Sequence, residues 1–81
     1  MEAIGNKVKE FIMSEFLPGE DPDQLTESTP LISGGILDSL ATLKVVSFLE
    51  ENFGITVAPH ETDEDNCGTI ADIVSLVESK Q

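Results

Sequence analysis

The sequence predicts a small all-α bundle: three main helices, a short helix before the last, and a long loop between the first and second. Three observations carry this. Apolar residues recur at helical spacing in three separate stretches. Each stretch is closed off by Pro, Gly or a capping residue. The briefly alternating run Ile55-Thr56-Val57 has no second strand to pair with, so it reads as an extended connector. Eighty-one residues give one expected domain, 1–81, with a single small core.

In the first stretch Ile4, Val8, Phe11, Ile12 and Phe16 share one stripe of a 3.6-residue period, with Lys7, Lys9, Glu10 and Glu15 off it. Leu17-Pro18-Gly19 stops the helix, which is expected over about residues 2–16. Residues 17–38 form the long connection. Asp21 and Pro22 suit the cap and first position of a single helical turn. Leu25, Leu31, Ile32 and Ile36 are the expected anchors of a loop too long to be left untied in so small a domain.

The second helix is expected from about Ser39 to Phe53, closed by Gly54. Asp38 or Ser39 supplies its capping oxygen; both residue types serve there. Thr42, Val45, Val46, Leu49 and Phe53 make a core stripe. Leu40, Leu43 and Ser47 make a narrower second stripe, continued by Glu50, and expected to be partly exposed. After Pro59 the polar run from His60 to Asn66 is expected as a short helix. Thr69 caps the last helix, with Asp72 three residues on and Ile70, Ile73, Val74 and Val77 facing inward.

Sixteen carboxylates stand against four lysines and no arginine, a net charge of -12. Phosphate recognition needs clustered cations, so nucleic acid is excluded, and an anionic membrane surface is as poor a partner. A basic protein surface is the natural complement, although scattered acids also serve solubility alone. Cys67 is a lone cysteine, and the chain shows neither a signal-peptide pattern nor an apolar run of membrane-spanning length. A cytoplasmic, monomeric protein without membrane insertion is the expectation.

Catalytic constellations fail on spacing. Ser39 opens a helix whose fifteen residues rise about 22 Å before His60 is reached, so a Ser-His pair is not assembled. His60 reads as a solvated surface residue. Asp63, Asp65 and Gly68 match positions one, three and six of a calcium loop, but the bidentate glutamate of position twelve is Val74. No metal site is expected. Asp38-Ser39 alone is mostly a capping signal. Its context is more telling: a Gly34-Gly35 hinge before it, and Leu40 with an unpartnered stripe after it. A serine hydroxyl without a base is a weak nucleophile but a good acceptor of a group that another enzyme installs.

Gly35-Ile36-Leu37-Asp38-Ser39-Leu40 resembles the phosphopantetheine attachment motif of acyl and peptidyl carrier proteins. Pro30-Leu31-Ile32 before it, Phe48 to Ile55 after it, and Asn66-Cys67-Gly68-Thr69-Ile70 before the last helix fit the same family layout, so the resemblance spans nearly the whole chain. It implies 4′-phosphopantetheine on Ser39, installed by a coenzyme A-dependent phosphopantetheinyl transferase and loaded with acyl or aminoacyl cargo as a thioester. The protein is then a substrate of a loading ligase and of downstream enzymes with basic docking surfaces, not itself an enzyme. Asp38, Leu40, Leu43, Ser47, Glu50 and Glu51 become partner contacts. Two features depart from fatty-acid-synthesis carriers: Lys44, where those commonly hold an acid, and the acid-rich segment after Pro59. The form Pro-Leu-Ile-Ser-Gly-Gly-Ile-Leu-Asp-Ser-Leu, residues 30–40, looks more like freestanding carriers of specialised polyketide, nonribosomal peptide or aminoacyl pathways. The competing reading is a small acidic interaction domain in which Ser39 stays unmodified and only caps its helix.

Overall fold

In the computed structural model, which describes residues 2–81, the apolar stripe of the first stretch forms α1, Glu2–Phe16. Val8 and Ile12 are fully buried, while Ile4, Phe11 and Phe16 are half-buried at the margin of the core. The central helix, α2, spans Ser39–Phe53 and ends on Gly54 at φ 66. A short α3, Glu64–Cys67, precedes α4, Ile70–Lys80. α1 packs against both α2 and α4, and α3 packs against α4. No strand occurs among the described residues, and Ile55-Thr56-Val57 is an extended connector with Ile55 and Val57 buried.

The long connection is held at several points, and these position the start of α2. A 3-10 turn, Pro22–Gln24, is capped by the Asp21 side chain, and Leu25 behind it is buried. The Ala71 N–H donates to the Glu27 carbonyl at 3.1 Å, tying the loop to the first turn of α4. Leu31 is the hub. Its side chain is fully buried, and its N–H donates to the Gly68 carbonyl at 2.7 Å. Its own carbonyl accepts from the N–H groups of Ile36 and Leu37, both at 2.9 Å. Ile32 and Ile36 are half-buried as further anchors. Leu37, which periodicity did not single out, is buried.

The two glycines of the hinge have separate duties. A Cβ on Gly34 would collide with the Pro30 carbonyl oxygen, and Gly35 sits at φ 81, where a side chain is strained. They build the turn that delivers Leu37 and Asp38, rather than merely leaving room around the serine.

The segment after Pro59 differs from the single short helix expected. It divides into a 3-10 turn, Pro59–Glu61, and α3. Asp63 makes the break: its backbone is extended, and its Oδ1 accepts from the Asn66 backbone N–H at 3.1 Å and from Asn66 Nδ2 at 2.9 Å. Glu61 secures the turn, its Oε1 accepting from the Ala58 N–H at 2.9 Å and pairing with Lys80 Nζ at 2.8 Å. The Lys80 hydrogen bond, and then that from Ala58, hold the Glu61 carboxyl below its ordinary value. A carboxylate depressed in the folded state stabilises above its unfolded pKa and loses that contribution as pH falls through the folded one. Glu61→Gln is therefore expected to lower the melting temperature at neutral pH and to flatten its fall below about pH 4.5, as read by circular dichroism. An unchanged acid limb would dismiss this role.

Cys67 is fully buried, its thiol 3.5 Å from the Glu61 carbonyl. Burial, reinforced by the charges of Asp63, Asp72 and Glu61, pushes the thiol up to about 11. The thiolate is the reactive species, so this thiol is silent at neutral pH. Ellman's reagent is expected to titrate no thiol in the native unmodified protein at pH 7.5 and one after unfolding in guanidinium. Rapid native reaction would show that the segment carrying Cys67 opens readily.

Candidate functional site

The site is built around the N-terminus of α2, where the sequence left two oxygens competing for one cap. The structure gives the cap to Asp38. Its backbone is extended, at φ -90 and ψ -173, and its Oδ1 accepts from the Ala41 N–H at 2.8 Å. Its carbonyl accepts from both the N–H and the hydroxyl of Thr42, at 2.9 and 2.8 Å, which satisfies the buried Thr42 side chain. Ser39 is thereby the first helical residue and is exposed. Its hydroxyl makes no hydrogen bond among the described residues. Capping by Ser39, on which the interaction-domain reading relied, is thus corrected.

This environment fits a phosphodiester. The Ser39 hydroxyl surrenders no structural bond when it is esterified, and it sits at the positive end of a fifteen-residue helix. A groove of about 540 Å³ opens beside it, lined on one side by Ile32, Leu37 and Leu43 and on the other by Thr62, Asp63 and Glu64. The groove was not legible in the sequence, because its two walls, Ile32 to Leu43 and Thr62 to Glu64, are distant in the chain and only packing brings them together.

The second stripe of α2 faces solvent. Leu40 is 65% exposed and Leu43 57% exposed, the two large apolar side chains left uncovered among the described residues. Ser47 and Glu51 are exposed on the same helix. Glu50, expected in the partner ring, is half-buried, and its Oε2 accepts from the Val57 N–H at 2.9 Å, pinning the connector that follows α2. The core stripe is buried through Thr42, Val45, Val46 and Leu49, with Phe53 half-buried. His60 is exposed. No group of three or more His, Cys, Asp or Glu residues is arranged to hold a metal among the described residues, and Asp63 spends its Oδ1 on the α3 cap.

A short helical bundle that presents an unbonded serine at the head of its central helix, next to an uncovered apolar stripe, has the form of a carrier scaffold. Comparison with known proteins makes this specific. The family described as PP-binding, phosphopantetheine attachment site, matches residues 12–77. An acyl carrier protein of Thermotoga maritima is 40% identical over 79 residues, covering 98% of this chain and 93% of its own. The probable acyl carrier protein PigG of a Serratia strain is 33% identical, covering 93% of this chain and 85% of its own. A chain in a solved structure described as a crystal structure of FAD-dependent dehydrogenase superposes with a TM-score of 0.78 at 28% identity, over 86% of this chain and 97% of that one. The chain belongs to the phosphopantetheine-binding acyl carrier protein family. Its function is that of an acyl carrier, and its cofactor is covalently attached 4′-phosphopantetheine.

Proposed function

We propose that Ser39 is the attachment residue and that the chain carries acyl or aminoacyl intermediates in a specialised polyketide, nonribosomal peptide or related pathway. The observation that carries this is the exposed, unbonded Ser39 hydroxyl beside a helix cap supplied by its neighbour. In attachment, Ser39 Oγ bonds to the β-phosphorus of coenzyme A. The phosphoanhydride bond breaks, adenosine 3′,5′-bisphosphate leaves, and the hydroxyl proton is released. The attached group supplies a terminal thiol that holds cargo as a thioester. This chain's residues orient and present it: Asp38 fixes the helix start, and the groove of Ile32, Leu37 and Leu43 offers apolar shelter next to the anchor.

The chain acts as one carrier unit and as a substrate of a transferase, a loading ligase and downstream enzymes, not as a catalyst. The match to the phosphopantetheine attachment family and the likeness to acyl carrier proteins support that reading. Asp38, Leu40, Leu43, Ser47 and Glu51 form the docking face, and the charge of -12 favours partners with basic surfaces. No helix among the described residues is long and apolar enough to cross a membrane, and a cytoplasmic site of action is part of this proposal. Lys44 and the acid-rich residues 60–66 favour a specialised pathway over housekeeping fatty-acid synthesis.

Incubation with coenzyme A and a promiscuous phosphopantetheinyl transferase, read by intact mass, tests the attachment. One phosphopantetheine per chain is expected. An unmodified wild-type protein would favour the acidic interaction domain instead. The mass of holo-protein from its native host would then identify the cargo class.

A further inference from the structure

The docking face carries a cation that its own helix does not neutralise. Lys44 is exposed on α2 and makes no ion pair among the described residues, whereas Lys80 is bound to Glu61. The residues three and four positions away along the helix are Leu40, Ala41, Ser47 and Phe48, none of them acidic. At 100° per residue, Leu40, Lys44, Ser47 and Glu51 lie within about 60° of one another, so Lys44 is inside the exposed stripe rather than at its edge.

We infer that the enzyme that modifies Ser39 places a carboxylate opposite Lys44, so that its docking surface is not uniformly basic. This rests on the carrier reading above. An enzyme acting on the Ser39 hydroxyl must cover its surroundings, and a standard interface reaches about 15 Å from its centre. Lys44 is only five residues, about 7.5 Å of rise, from Ser39. On this stripe Glu51 lies about 10 Å along the axis beyond Lys44, whereas the cap Asp38 falls on another side of the helix. That step exceeds the screening length of about 8 Å at physiological salt, so a partner meets Lys44 and Glu51 as separate charges rather than one averaged field. A purely basic partner surface leaves Lys44 facing like charge, which weakens docking and selects against such enzymes.

The test uses the source organism's own phosphopantetheinyl transferase, coenzyme A and the full chain, with rates read by intact mass. Lys44→Glu is expected to lower kcat/KM about tenfold, mainly through KM, and Lys44→Gln about threefold. Both effects should largely vanish at 0.5 M salt. Lys7→Glu, on α1, makes the same change in net charge and should leave the rate unchanged. Circular dichroism keeps any loss of fold apart from a loss of docking. Wild-type rates, or faster ones, for a folded Lys44→Glu protein would overturn the inference. A wild-type chain that takes no phosphopantetheine would instead overturn the carrier reading on which it rests.

Discussion

Ser39→Ala is expected to take no phosphopantetheine and to melt within about a degree of the wild type. The first half follows from removing the one oxygen that forms the ester. The second follows from the cap geometry. Because Asp38 Oδ1 bonds the Ala41 N–H and the Ser39 hydroxyl makes no hydrogen bond among the described residues, alanine at 39 deletes no structural interaction, and it is a better helix former than serine. Asp38→Ala is the mirror image. It removes the cap and should cost about 1 kcal/mol, while leaving the hydroxyl in place. Intact mass and thermal melts on the two variants separate anchor from cap. A Ser39→Ala protein that loses about 1 kcal/mol would move the capping role back to the serine. Residual single modification in that variant would place the attachment elsewhere.

Leu31→Ala is expected to be the most damaging single change in the loop. Truncating a fully buried leucine costs about 2–5 kcal/mol, depending on how far the surroundings relax, against a total of roughly 4–12 kcal/mol for a domain of this length. The damage should not stop at stability. Leu31 is where the loop meets the Gly68 carbonyl and where the chain turns back through the Ile36 and Leu37 amides into Asp38. Loosening it frees the approach to α2. The variant should therefore accept phosphopantetheine more slowly even at temperatures where circular dichroism shows it folded. Urea unfolding and the modification rate measure the two effects separately. A loss below about 1 kcal/mol would show that the loop is held mainly by Leu25 and Leu37.

The bounds of α1 and α2 were legible because their signals are local. A 3.6-residue apolar stripe, a Pro-Gly stop after Phe16 and a glycine after Phe53 act within a few residues of the positions they govern. The same holds for the turn capped by Asp21 and for the Thr69 cap of α4, where the Asp72 N–H donates to the Thr69 hydroxyl at 3.1 Å. The family was legible for a related reason: the motif that carries the resemblance is one contiguous string that opens a helix.

Tertiary structure decided what depended on distant partners. Asp38 and Ser39 are both able to cap, and the choice fell to the register in which the loop enters the helix. Leu31 sets that register by binding the Ile36 and Leu37 amides, with the Leu37 side chain buried beneath. Glu50 looked like a surface acid from its place on the exposed stripe. The Val57 amide, seven residues on, gives its carboxylate a structural partner that helical periodicity does not contain. Leu40 and Leu43 share the apolar character of Val45 and Leu49, and no property of the side chains alone separates the exposed pair from the buried one. What separates them is that α1 packs against one face of α2, while none of the described residues covers Leu40 and Leu43 on the other.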